Sequence, residues 1–221
     1  MKISSLKKDA LASLRGHWGV AILLGIISFG LYSFIPVIAE IIATGGFSEW
    51  FSADNAPVHA QTLSWILSIA LSPILYSFYW AMLDMRRGQT VPVGRLFNVF
   101  SGPLYLKTVG LYLLTTIYTI LWALLLIVPG IIKGIAYSQA YFILKDNPNI
   151  VINDAITQSR QLMDGYKGKY FLMTLSFIGW SFLALLTFGI GFIWLAPYFT
   201  ATLASFYQSL IEEKNMETTQ I

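Results

Sequence analysis

Charge is scarce in this sequence of 221 residues. Asp, Glu, Lys and Arg together make up 11% of it, whereas 56% of the residues are hydrophobic. Soluble domains carry about 25% charged residues, so this composition excludes an ordinary cytosolic enzyme. It also excludes a disordered chain, because disorder requires low hydrophobicity and high net charge. Cysteine is absent, which excludes disulfides and thiolate metal sites and leaves the redox compartment undetermined.

The residues and motifs of common catalytic sites are also missing. His17 and His59 are the only histidines, so a zinc site built on several histidines is not expected. The sequence has no HExxH, no Walker-type glycine loop with its lysine and no GxSxG elbow. We therefore expect no catalytic residue, no bound cofactor and no metal, and we interpret the chain as a protein without enzymatic activity.

The sequence instead contains long stretches without any charged residue. A membrane-spanning helix needs about 20 apolar residues, and turn signals at Val128-Pro129-Gly130 and Phe188-Gly189-Ile190-Gly191 divide the longer stretches. The pattern predicts an all-α polytopic membrane protein, a single domain over residues 1–221 with six transmembrane helices in three hairpins. The predicted spans are residues 17–43, 62–83, 104–127, 131–145, 169–187 and 190–210. The fourth is short, and a re-entrant hairpin is the alternative for it.

The positions of the basic residues predict the orientation. In a six-span topology, 13 of the 14 basic residues fall on one side of the membrane, and Lys133 alone falls on the other. Short cytoplasmic loops are enriched in Lys and Arg, so both termini are predicted to be cytoplasmic. The first apolar stretch is too long for a typical secretory signal, and we interpret it as a retained helix.

Two further segments have the pattern of amphipathic helices. Residues 1–16 are predicted to form an interfacial helix, with Ile3, Leu6, Ala10 and Leu14 on one face. Residues 150–165 are predicted to form a cytoplasmic helix. Its apolar stripe consists of Ile152, Ala155, Ile156, Ser159, Leu162 and Met163. This second helix either packs under the bundle or docks a partner or responds to lipid.

Charged and polar residues inside a membrane are candidates for function. Glu40 and Lys133 lie near the outer ends of the first and fourth predicted spans, where they either pair or extend separately to the headgroups. Gln139 lies in the middle of the fourth span, and Thr115, Thr116 and Thr119 lie in the third. Such groups tie helices together by hydrogen bonds or line a polar pathway.

Several ordered motifs resemble a family of bacterial integral-membrane proteins known only as domain of unknown function 975 (DUF975). They are Val128-Pro129-Gly130-Ile131, Asp146-Asn147-Pro148, Ala155-Ile156, Ser159-Arg160, Phe177-Ile178-Gly179-Trp180, Leu186 to Gly191, and Ala196-Pro197-Tyr198 running to Phe206-Tyr207. Leu6 to Ala10 and His17-Trp18 also fit the family's opening pattern. Because the family occurs mainly in Gram-positive bacteria, the resemblance implies the plasma membrane. It implies no activity and no site residues.

These observations favour a helper or scaffold in cell-envelope function. The alternative is a small transporter or permease-like subunit that handles lipid or peptide, acting as an oligomer. The expected partners are the lipid bilayer and either another membrane protein or further copies of the chain. No nucleic acid is expected, because the positive net charge is spread over short loops. A polar cavity around Gln139 and Lys133 would favour transport, and a closed, dry bundle would favour the scaffold.

Overall fold

The computed structural model describes the backbone of residues 1–219 and the side chains of residues 1–216. Residues 220 and 221 of the predicted domain lie outside this range. All regular elements in the described part of the chain are helices. They are α1 (Ile3–Leu14), α2 (Trp18–Thr44), α3 (Phe47–Ser52), α4 (Val58–Arg86), a 3-10 helix (Val93–Phe100), α5 (Pro103–Leu125), α6 (Ile127–Tyr137), α7 (Ala140–Asp146), α8 (Ile152–Leu162), α9 (Lys167–Leu175), α10 (Ile178–Leu186) and α11 (Phe192–Thr219).

Five helical segments within residues 1–219 are long and apolar enough to cross a membrane. They are Trp18–Thr44, Val58–Arg86, Pro103–Leu125, Ile127–Asp146 and Lys167–Leu186. The all-α class is therefore confirmed, and the first five predicted spans each coincide with one of these segments. The sixth predicted span falls within α11, which is a helix but is less apolar. The count of six and the arrangement in three hairpins stay predictions.

The polarity of α11 has a physical explanation in its position. Thr200, Thr202 and Ser205 are buried against other helices. The hydroxyls of Thr200 and Thr202 donate to the carbonyls of Ala196 and Tyr198 one turn earlier, at 2.9 and 2.8 Å. A helix enclosed by protein is not required to present an apolar surface to lipid, and small polar residues permit close packing.

Two of the five long segments are interrupted near their middle. The first break lies at Ser138 and Gln139, between α6 and α7, and the second lies at Ser176 and Phe177, between α9 and α10. At the first break the amide of Ser138 donates to the carbonyl of Ile135, three residues back. The α-helical ladder is thus lost for about one turn, which frees backbone groups for other partners.

Both amphipathic helices are observed, and both bury their apolar faces against protein. Leu6, Ala10 and Leu14 of α1 are fully buried, and α1 packs on α11 and α4. Of the predicted stripe of α8, Ala155, Ile156, Ser159 and Met163 are buried, and Ile152 and Leu162 are half-buried. Of the two alternatives for α8, the structure favours the helix that packs on the bundle, where it contacts α5, α6, α7 and α11.

The packed core lies toward the ends of the helices that carry most of the charges. In α4 all six residues from Trp80 to Met85 are buried, whereas Trp65 and Ile66 near the other end are exposed. The turn between α10 and α11 is the extreme case. Phe188 there is 100% exposed and has a positive φ of 52°, a conformation that costs a non-glycine residue free energy. The helices therefore expose more of their side chains toward their apolar ends.

Gly130 provides a test of how closely α5 and α6 approach. A Cβ atom added at Gly130 would lie 2.7 Å from both Cα and Cβ of Ala123 on α5. We expect Gly130→Ala to lower the free energy of unfolding by about 1–3 kcal/mol, because backbone has to move. Thermal unfolding in detergent measures the change. Gly134→Ala, whose nearest neighbour would be a Thr119 methyl at 3.5 Å, is the matched control and should be neutral or stabilising. Equal losses in both variants would contradict the close approach.

Candidate functional site

Asp84, one residue beyond the predicted second span, is the centre of a buried ion cluster. Its side chain is 8% exposed, and it accepts hydrogen bonds from Lys145 and, at 2.9 Å, from Nη1 of Arg95. Nζ of Lys145 also donates to the Trp80 carbonyl at 2.5 Å. Trp80 in turn donates its indole N–H to the carbonyl of Tyr141 at 2.7 Å. One carboxylate thus fixes α7 and the 3-10 helix to the end of α4.

Asp146 forms a second cluster beside the first. Arg87 donates from Nη1 and Nη2 to the two carboxylate oxygens at 2.6 and 2.8 Å, and the hydroxyl of Tyr207 donates to one of them at 2.9 Å. The paired geometry is the strongest form of an arginine–carboxylate contact, and the hydrogen bond to Asp146 raises the pKa of Arg87. Nε of Arg87 donates to Gln208 at 3.1 Å. These bonds join α4, α7 and α11.

Removing the carboxylate of Asp84 tests this ion cluster. We expect Asp84→Asn to lower the free energy of unfolding by about 3 kcal/mol, because it leaves the charge of Lys145 without its partner. Thermal unfolding in detergent measures the change. The double variant Asp84→Asn/Lys145→Met should lose less than the sum of the two single variants. Asp164→Asn is the control, since the Asp164 side chain is 81% exposed and lies 3.5 Å from Lys167, and it should change stability by under about 1 kcal/mol.

A hydroxyl from α8 closes the first helix break. Oγ of Ser159 accepts a hydrogen bond from the amide of Gln139 at 3.1 Å and donates to the carbonyl of Ala136 at 2.7 Å. Both bonds are buried, and they satisfy backbone groups on both sides of the break. Buried backbone groups without partners cost free energy, so Ser159 holds α8 in register with α6 and α7.

An ammonium from α1 reaches the second break. Nζ of Lys7 donates to the carbonyl of Ser176 at 3.4 Å and lies 4.3 Å from the centre of the Phe177 ring. Burial lowers the pKa of Lys7. Each of the two interrupted helices is therefore contacted at its break by a polar side chain from one of the two amphipathic helices.

The structure places the three predicted candidates in separate surroundings. Glu40 accepts a hydrogen bond from Nε1 of Trp50 at 3.2 Å. Nζ of Lys133 lies 4.5 Å from the centre of the Trp122 ring. Among the described side chains no ion pair joins Glu40 and Lys133, and their separate extension to the outer headgroups stays a prediction.

Gln139 is sealed inside the protein. It is 0% exposed, and its Nε2 donates to Oγ of Ser138 at 2.7 Å. Its Oε1 is one of the few buried side-chain oxygens in the described part of the chain that lack a hydrogen-bond partner. None of the five main cavities in the described part of the chain has both Gln139 and Lys133 in its lining.

Lys133 instead shares a cavity with two cations that the sequence assigns to the opposite side of the membrane. This cavity, about 330 Å³ in volume, is called the basic pocket below. It is lined by Ile132, Lys133, Ala136, Thr157, Arg160, Gln161, Asp164 and Lys167. Lys133, the one exception to the segregation of basic residues in the sequence, thus lies beside Arg160 and Lys167.

A separate crevice of about 430 Å³ lies where α4 faces α5 and α6. Tyr76, Tyr79 and Tyr141 are among its lining residues, as are Thr115, Thr116 and Thr119 of α5. The hydroxyls of Thr115 and Thr119 donate to carbonyls of their own helix, both at 2.7 Å. Thr115 also has a side-chain hydrogen bond with Tyr76 of α4, so this threonine ties the two helices together.

Asp84, Asp146 and Ser159 were not among the candidates chosen from the sequence. The two acids stand at the ends of predicted spans, where charges are usual, and Ser159 lies in the apolar stripe of α8. The signal in the sequence was the predicted depth of these residues in the membrane. Asp84 and Lys145 lie near the ends of two helices on the same predicted side, so they could be expected to pair. That argument was applied only to Glu40 and Lys133.

A family model described as Protein of unknown function (DUF975) matches residues 124–214. The predicted resemblance is confirmed over this range, which contains α6 to α10, the two helix breaks, Ser159 and the basic pocket. The N-terminal motifs of the resemblance lie outside the matched residues. No curated protein and no solved structure matches the chain.

Proposed function

We propose that the chain is a non-enzymatic protein of the plasma membrane that acts as a helper or scaffold in cell-envelope function, with both termini in the cytoplasm. The observation that carries this proposal is the sealed break at Gln139. Gln139, in the middle of a predicted span, is fully buried; its side-chain amide donates to Ser138 and its backbone amide donates to Ser159. Polar groups that serve transport line cavities or pair along a route.

The exposed surfaces of the helices support a role in binding another membrane protein. Close to the Asp84 and Asp146 clusters, the helices pack on one another and on α1 and α8. Toward the apolar ends more of each helix surface is exposed, and α10 has its main contact with α11 alone. Phe182 and Leu185 of α10 are exposed. Helix association in a bilayer relies on close packing of such faces, so α10 is the surface on which we expect a partner helix to dock.

Photo-crosslinking from α10 in native membranes tests the scaffold. A diazirine-bearing, leucine-sized residue at Leu185, which is 64% exposed, should give a discrete product with one other membrane protein. The same residue at Leu203, which is buried on α11, is the matched control and should give no intermolecular product. A product of twice the chain mass would identify a homo-oligomer, the other partner considered. The same residue is also placed at the exposed Leu121 of α5. If both positions, Leu185 and Leu121, gave only lipid adducts, the proposal would be contradicted.

The alternative, a small transporter subunit for lipid or peptide, is favoured by one observation, the crevice lined by tyrosines and threonines. Its test is the movement of a fluorescent phospholipid across proteoliposomes that contain the full chain. For a scaffold we expect the rate of protein-free liposomes. Faster movement that is abolished by Thr116→Phe at the crevice but kept by Thr62→Phe, at an exposed position on α4, would overturn the scaffold and establish transport.

A further inference from the structure

The basic pocket concentrates positive charge at one place on the protein. Lys133 comes from α6, Arg160 from α8 and Lys167 from the first turn of α9. Asp164 is the one carboxylate among the lining residues, so the pocket carries a formal charge of +2. Thr157 and Gln161 add a hydroxyl and an amide that can donate hydrogen bonds. This combination of donors and cations suits an anion with several oxygens, such as a phosphate ester.

The positive charge of the pocket is not neutralised by the protein. Asp164 is largely exposed and reaches only Lys167, at 3.5 Å, a contact that solvent screens strongly. Among the described side chains no carboxylate lies within ion-pair distance of Arg160 or Lys133. The ammonium of Lys133 rests on the Trp122 ring, which leaves its three N–H donors available to a ligand.

The surroundings of Lys133 place this charge at the boundary with lipid. Lys133 lies within the membrane-spanning segment Ile127–Asp146, and its neighbours Ile131 and Ile132 are exposed. Ile132 also lines the basic pocket, so the pocket borders an exposed, apolar part of α6.

We propose that the basic pocket binds one anionic glycerophospholipid, with its phosphate among Lys133, Arg160 and Lys167 and its acyl chains against the exposed apolar surface beside Ile132. Because Lys133 lies in a membrane-spanning segment, a phospholipid can reach the pocket from the bilayer and add apolar contacts that a free phosphate lacks. A zwitterionic headgroup would bring an ammonium toward three cations. Basic pockets between membrane helices bind anionic headgroups for this reason. The site is independent of any protein partner on α10.

Lipid-dependent thermal stability of the purified full chain tests this proposal. The protein in neutral detergent is titrated separately with dioleoyl phosphatidylglycerol, dioleoyl phosphatidylcholine and inorganic phosphate. A ligand that binds only the folded state raises the midpoint of unfolding, and above its dissociation constant the shift grows with the logarithm of its concentration. We expect phosphatidylglycerol to raise the midpoint with this dependence, with little change from phosphatidylcholine. An equal shift from inorganic phosphate would overturn the lipid as the occupant.

The matched variants separate this pocket from general charge attraction. Lys133→Gln/Arg160→Gln/Lys167→Gln should weaken the apparent affinity for phosphatidylglycerol by about tenfold or more. Lys2→Gln/Lys8→Gln/Arg15→Gln removes the same charge from exposed positions at α1 and should keep the affinity of the original chain. The midpoint without lipid shows that each variant is folded. Equal weakening in both triple variants, or none in either, would contradict a site at the basic pocket.

Discussion

The placement of the helices depends on the need to pair Asp84. A carboxylate in a poorly solvated position is tolerated only with cations and donors around it. Lys145 and Arg95 meet this need, and they come from α7 and from the 3-10 helix. Because the contact between Asp84 and Lys145 joins the end of α4 to the end of α7, these two helix ends have to lie at the same depth in the membrane. The neighbouring pair of Arg87 and Asp146 extends the constraint to α11.

The two amphipathic helices have a structural role that follows from the helix breaks. A spanning helix that is interrupted exposes backbone groups which a bilayer cannot satisfy. Ser159 from α8 and Lys7 from α1 supply the missing partners. Their apolar faces are at the same time covered by the bundle. The interrupted helices and the amphipathic helices are therefore complementary parts of one arrangement, in which neither is complete alone.

Much of the fold was predictable from the sequence, because apolar length and turn residues act locally. The five apolar segments, the turn after Leu186 and the stripe of α8 are all of this kind. The breaks at Ser138 and Ser176 were not predicted, since serine and glutamine are ordinary residues in a helix and their bonds come from distant residues. The sixth predicted span rested on the absence of charged residues, and a helix is found there. Its hydropathy is lower than that of the other five segments, because residues such as Thr202 face protein and not lipid.

The candidate site was predictable only in part. Lys133 and Gln139 were identified because polar groups are rare in spans, and both lie in distinctive surroundings. What could not be deduced is that Lys133 lies beside Arg160 and Lys167, since this depends on α8 folding back along α6. The distribution of basic residues along a sequence predicts on which side of the membrane each loop lies. It does not show that α8 folds back along α6.

The packing of α1 on α11 also has a consequence for the order of assembly. About 190 residues separate the two contacting faces, which at roughly 5–20 residues per second corresponds to about 10–40 s of translation. Throughout this interval Leu6, Ala10 and Leu14 lack the larger part of their native contact surface, which α11 supplies and α4 does not. The membrane interface is the nearest apolar phase, and we expect α1 to rest there until α11 is synthesised. The interfacial position predicted for residues 1–16 would then describe a stage in biogenesis, and the docked helix its end point.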